Sequence, residues 1–179
     1  MMLAMTPDEE PPGHLPSDAV RLVVVTPEDW QAWRELRLRA LAEAPYAFSS
    51  TLADWEAAPE ARWRDRLAVA DSRSFLALAG GRAVGMASGI PGDEQGTVEL
   101  VSMYVAPEGR SLGVADALVH DVEAWALEVG AARLCLGVRA TNDRARRVYE
   151  RHGLVVTGER ERDTPDEPLE LEMCKELGR

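Results

Sequence analysis

The sequence predicts one mixed α/β domain: a mostly antiparallel sheet of six to seven strands with about four helices. Three observations carry this. The apolar and polar runs read in the order β-α-α-β-β-β-α-β-α-β-β. A β-branched, apolar strand at Thr97–Val105 feeds, through a small-residue turn, a long amphipathic helix ending near Gly130. A short apolar strand follows that helix, and a crossover through a helix makes it parallel to the strand before.

The elements follow in order. Residues 1–17 hold Pro7, Pro11, Pro12 and Pro16 among few apolar residues, and are expected to be a disordered tail; 18–179 form the domain. Arg21–Val25 is a first strand. Thr26-Pro27-Glu28-Asp29 is a helix start, with a capping hydroxyl, proline at the first helical position and acids in the first turn. That helix runs to about Glu43, with Trp30, Trp33, Leu36 and Leu41 toward the core, and Pro45 stops it. Tyr46–Ala58 is less regular. Its aromatics Tyr46, Phe48 and Trp55 either line a pocket or pin the segment to the core, and the second is favoured. Pro59 begins another helix, to about Ala70.

Ser74–Ala79 and Arg82–Ile90, joined by Gly80-Gly81, are a hairpin. With Thr97–Val105 they form an antiparallel meander. Pro107 ends the third strand. In the helix that follows, Val114, Leu118, Val122, Trp125 and Val129 recur at helical spacing, and Gly130 is placed for a left-handed cap. Ala132–Val138 is the parallel strand. Thr141-Asn142-Asp143 opens a helix with Ala145, Val148, Tyr149 and His152 on one face and Gly153 as its cap. Leu154–Val156 begins a strand, Glu159–Pro168 is a charged connection, and Leu169–Lys175 alternates as an outer antiparallel strand would. There are no internal repeats and no second domain.

Totals narrow the function. The net charge of −11 argues against nucleic acid as a partner and is compatible with a cationic substrate such as an amine. No apolar run reaches membrane-spanning length, and the N-terminus lacks the basic start and apolar core of a signal peptide, so no membrane partner and a cytoplasmic protein are expected. Cys135 and Cys174 have neither zinc spacing nor a disulfide framework, so they read as buried free thiols and no metal is expected.

The chemistry sits in two short stretches. Arg110-Ser111-Leu112-Gly113-Val114-Ala115 lies between strand and helix. A helix start has unpartnered N–H groups and partial positive charge, Gly113 and Ala115 leave room for an anion, and Arg110 adds a full charge. Glycine count and spacing fit neither a Walker loop nor a dinucleotide fingerprint. The pattern Arg-x-x-Gly-x-Ala after Val-x-Pro resembles the pyrophosphate-binding motif of the GCN5-related N-acetyltransferases, with Ser111 where many bacterial members have glycine. The second stretch, Asn142 to Leu154, is similar to that family's N-x-x-A-x-x-x-Y-x-x-x-G-F/L signature. The element order matches the family fold, so the resemblance spans residues 20–176.

The resemblance implies a fold with a splayed parallel strand pair, and acetyl-CoA as cosubstrate. Backbone groups of Met103, Tyr104 and Val105 would pair with the pantetheine arm, and one N–H there would polarise the thioester carbonyl. Arg110, Ser111, Leu112, Gly113, Val114 and Ala115 would hold the pyrophosphate. Asn142 would cap its helix and bond the pantetheine, with Ala145 beside the same cofactor. One or two of Arg144, Arg146, Arg147 and Arg151 would meet CoA phosphates. Tyr149 would protonate or position the departing sulfur, since a phenol near pKa 10 can serve a thiolate near 8.5; otherwise it packs. Glu99 would be a general base of raised pKa, or a strand glutamate that attracts the ammonium. Cys135 as an acetyl carrier is a minor route, because no base stands beside it. His152 suits a helix C-terminus better than catalysis. By the same resemblance Tyr46–Ala58 would wall the acceptor site.

The function expected is an N-acetyltransferase moving an acetyl group from acetyl-CoA to a primary amine, small molecule or protein, by direct attack in a ternary complex. The competing class is a catalytically inactive acyl-CoA-binding sensor or partner module of the same fold. A homodimer is compatible with the sequence but marked by no residue pattern.

Overall fold

The computed structural model describes residues 20–160 and 168–178. The expected tail and most of the 159–168 connection lie outside the described residues. A seven-stranded sheet has the order β1-β2-β3-β4-β5-β7-β6. Its strands are β1 Arg21–Val25, β2 Arg73–Ala79, β3 Arg82–Pro91, β4 Thr97–Val105, β5 Arg133–Arg139, β6 Val155–Glu159 and β7 Glu170–Glu176. The helices are α1 Trp30–Glu43, α2 Leu52–Glu56, α3 Glu60–Leu67, α4 Val114–Glu128 and α5 Asp143–Arg151. All neighbouring strands are antiparallel except β4 and β5. No helix among the described residues is long and apolar enough to cross a membrane.

Each sheet face buries its own core. On one side α4 places Val114, Leu118, Val122 and Trp125 against Phe75, Ala77, Ala87, Val98 and Leu100, and Tyr149 of α5 joins them. On the other, Trp33 and Leu36 of α1 and Trp63 and Leu67 of α3 cover Leu76, Met86 and Tyr104. The period-two alternation of strands divides β2 this way, Phe75 and Ala77 to one face and Leu76 to the other. A one-turn 3-10 segment at Pro27–Asp29 precedes α1, and the Asp29 carboxylate accepts from the Thr26 N–H (2.9 Å) and hydroxyl (2.8 Å).

Four expectations change. First, α2 is a fifth helix. Its Thr51-x-x-Asp54 box, in which Asp54 Oδ2 accepts from Thr51 N and Oγ1 (both 2.7 Å), is a readable start signal. Second, Val129 is 53 % exposed, whereas Val119 and Ala126 are buried; the apolar stripe drifts off Val129 at the last turn of α4. Third, β7 is not the outer strand. It inserts between β5 and β6, leaving β6 at the edge. Fourth, that insertion sets Cys174 directly opposite Cys135, and the two are joined in a disulfide rather than free. Strand order, which cysteine spacing does not reveal, makes the pair. Cys135 therefore has no thiol to carry an acetyl group.

Denatured, unreduced protein should show no free thiol, and two after reduction. The reduced form should melt lower; loop-closure entropy for the separation of 39 residues sets an upper figure of about 4 kcal/mol. Two reactive thiols before reduction would remove the bond.

Candidate active site

The parallel strands part almost at once. β4 and β5 pair only at Thr97↔Arg133, Val98↔Leu134 and Glu99↔Cys135. Beyond Glu99, β4 stays bonded to β3 while β5 follows β7. A bulge accompanies the divergence. Against β3 the register runs Ser88↔Val101 and then Met86↔Tyr104, so β4 carries one extra residue, and Ser102 sits at φ +56°. The extra residue reverses the alternation. Leu100 faces the α4 core, Tyr104 faces the α1 core, and Met103 and Val105 now pack on the α4 side. Nothing in Thr97–Val105, which holds no glycine or proline, announces this.

The parted strands enclose a cavity of about 950 Å³. Glu99, Met103, Tyr104, Val105, Arg110, Ser111, Gly113, Val114, Ala115, Asn142, Ala145 and Tyr149 all line it. Leu112 does not; it is 51 % exposed and outside the lining.

The loop at the end of β4 presents backbone. Ser111 (φ 71°) and Gly113 (φ 74°) are both left-handed, and α4's ladder opens only with Ala117 N donating to Gly113 O (3.0 Å). The amides of the first turn therefore precede any helical acceptor. A Cβ at Gly113 would meet nothing within 4 Å, so the surface there is open to a ligand. Arg110 Nε donates to Val105 O (3.3 Å). Below the loop, Arg39 binds Glu108 in a two-pronged ion pair, and Glu43 accepts from Tyr104 Oη (2.5 Å) and Arg39 Nε (2.7 Å). Burial, then the bond to Glu43, pushes the Tyr104 phenol well above its ordinary value, so that hydroxyl is committed to holding α1 against β4.

Across the gap, Asn142 Oδ1 accepts from Ala145 N (3.2 Å) and caps α5. Of the basic run, Arg144, Arg147 and Arg151 line the cavity; Arg151 is spent on Asp116 (3.0 Å), and Arg146 leans on Asp143 and Glu150. His152 Nε2 also meets Asp116 (3.1 Å), a structural placement. Desolvation raises the Asp116 carboxyl, but bonds from Arg151 and His152 outweigh it and hold it below the usual range.

Tyr149 is 6 % exposed, and burial lifts its phenol far above the ordinary value. Glu99 is not alone in the cleft: Arg160 Nη1 lies 2.6 Å from its Oε1 and 3.7 Å from Glu170 Oε1. Gly137 makes that possible. A Cβ on it would collide with the Glu170 carboxylate and come within 2.9 Å of Arg160 Nε. Tyr46 and Phe48 line the cavity, whereas Trp55 stacks on Trp63 (centroids 4.6 Å apart) and pins the segment, so the aromatics divide between the two roles. Arg37 and Arg66 enter the cavity from α1 and α3; on sequence they are ordinary helix arginines, and only the packing of α1 on α3 turns them inward.

The acetyltransferase (GNAT) family profile matches residues 30–154, and the chain belongs to that family. Curated relatives from Mycobacterium tuberculosis and Mycobacterium bovis, described as uncharacterized N-acetyltransferases, are 44 % identical over 80 residues, which is 45 % of this chain and 51 % of theirs. The chain thus matches about half the length of those relatives. An acetyltransferase of the GNAT family from Streptococcus pneumoniae superposes with a TM-score of 0.76 at 20 % identity, over 89 % of this chain and 99 % of that one. A ribosomal-protein-alanine N-acetyltransferase from Brucella melitensis gives 0.72 at 23 %, over 88 % and 99 %. At these identities the superpositions show the fold.

The Arg39 bond, followed by Glu108's own N–H, holds the Glu108 carboxyl down at about 2. A depressed carboxyl stabilises the fold above its unfolded pKa and loses that effect as pH falls toward the folded one. The difference in melting temperature between wild type and Glu108→Gln should be small at pH 7, as for any exposed pair, and vanish toward pH 2. A difference constant with pH would show that the ion pair is not its source.

Proposed function

We propose that the chain is an acetyl-CoA-dependent N-acetyltransferase in which the amine attacks the thioester directly. The observation that carries this is one cavity lined by the unpaired stretch of β4, the left-handed anion loop and a buried phenol. The residues present suit the cosubstrate. The open face of Gly113 and the first-turn amides of α4 would take the pyrophosphate, with Arg110, Arg144 and Arg147 nearby. The β4 edge at Met103–Val105 would pair with the pantetheine amides as an added strand.

The transfer forms a C–N bond and breaks a C–S bond. The nitrogen loses two protons: the first leaves the ammonium for a base and then solvent before attack, and the second, shed as the amide forms, goes to the departing thiolate. Glu99 is the base in this reading. Its Oε1 is held by Arg160, so the proton goes to its other oxygen or to a water on it. Tyr149 keeps its proton throughout the working pH range. It stabilises the departing thiolate as a hydrogen-bond donor, and full transfer is harder than reference pKa values imply. With Cys135 in a disulfide, no acetyl-enzyme forms there.

Release of free thiol from acetyl-CoA in the presence of an amine panel tests the reading; CoA binding without turnover across the panel would favour a binding module instead. Gly113→Asp puts a negative charge at the phosphate approach and should abolish CoA binding by calorimetry, while the left-handed φ of 74° lowers the melting temperature by only a few degrees and leaves the fold intact. Undiminished affinity would displace the phosphate from this loop.

Tyr149→Phe should lower kcat about 10²-fold with KM for the amine roughly steady, because the hydroxyl matters chiefly in the transition state. A lowered melting temperature with kcat unchanged would assign Tyr149 to packing alone.

A further inference from the structure

Arg37 and Arg66 are a feature the transfer chemistry leaves unused. Both line the cavity from the α1 and α3 side, on the sheet face opposite the Tyr149 core. Neither has a carboxylate partner among the described residues. Arg66 Nη2 donates to Ser102 Oγ (3.3 Å) on the β4 bulge. Arg37 lies over the Phe48 ring (4.3 Å to its centroid), and its Nη1 is buried with no acceptor among the described residues. The other arginines at this end are engaged: Arg160 with Glu99 and Glu170, and Arg139 with the carbonyls of Tyr46 (3.1 Å) and Pro168 (2.9 Å).

Two neighbouring cations withdrawn from water without a counter-charge are costly. Burial and then the charge of Arg66 push Arg37 down to about 10, the response of a guanidinium that lacks an anion. The cost is the more telling in a chain whose net charge is −11, where partners were abundant. The phosphates have their own cations at the other end, on the loop and α5. What fits between two planar guanidinium forks, with a serine hydroxyl alongside, is a carboxylate.

Resting on the transferase reading of this cavity, we propose that the acceptor is a small amino carboxylate, whose carboxylate is held by Arg37 and Arg66 while its amine faces β4. This turns the expectation from net charge around: the overall field attracts cations, but the local site at α1 and α3 selects an anion on the acceptor. Protein and peptide N-termini, which have no carboxylate beside the amine, are then poor acceptors.

The test separates binding from turnover. Protein saturated with CoA is titrated calorimetrically with a panel of α-, β- and γ-amino carboxylates, each paired with its carboxamide, and thiol release from acetyl-CoA is followed on the same pairs. The expected result is at least one pair in which the carboxylate binds about 10²-fold tighter, a preference that falls to a few-fold or less in Arg66→Gln and Arg37→Gln and is partly kept in Arg66→Lys. Overturning results are the absence of any such preference in wild type, equal use of a peptide N-terminus, or a preference that survives in both glutamine variants. If those variants melt early, the wild-type comparison of carboxylate with carboxamide decides alone. Thiol release without a carboxylate preference sinks this inference and leaves the transferase; arginine-dependent carboxylate binding without thiol release keeps the anion site and removes the transferase.

Discussion

The site depends on two parallel strands that pair for three residues and then part. A parallel pair normally continues its slanted ladder for as long as both strands last. Here β4 has residues left after Glu99, and so does β5, but the bulge at Ser102 turns β4 and β7 draws β5 away. Unpaired N–H and C=O groups in the interior of a sheet are unstable unless something binds them. The gap therefore offers free backbone donors and acceptors, and its lining comes from both faces of the sheet. One side meets α4 and α5 with their amide-rich starts; the other meets α1 and α3 with their arginines.

Charge is distributed unevenly around this gap. The chain as a whole is acidic, yet the walls carry arginines on several elements, and among the described residues only Arg139, Arg151 and Arg160 of these meet a carboxylate. Gly137 shows how tightly that is arranged: its missing side chain is the space in which Glu170 meets Arg160, which reaches on to Glu99. The Glu99 carboxylate is thus held through one oxygen by a guanidinium, and in the proposed reaction its other oxygen is the one that meets the incoming amine.

Much of this was legible in the chain. Gly80-Gly81 marks its hairpin, Pro107 ends β4, and the two short motifs fall on the loop and helix that line the cavity. What the chain hides are consequences of pairing between distant segments. The bulge depends on β3, whose register cannot be read from β4. The order β5-β7-β6 depends on which strand pairs with β5, and the disulfide follows from that. Arg160 and Glu99, like Arg37 and Arg66, are ordinary charged residues until packing brings them together. Leu112 and Val129 show the opposite limit: each fits a pattern by spacing, and each ends up facing solvent.

The Cys135–Cys174 bond has a topological consequence. It closes the chain from β5 to β7 into a covalent ring, and that ring contains all of α5, with Asn142, Arg144, Arg147 and Tyr149 upon it. One side of the cavity wall is thus a macrocycle hung on the sheet. A single backbone cut anywhere inside it leaves one molecule, held by sulfur, and the two pieces become separable only on reduction.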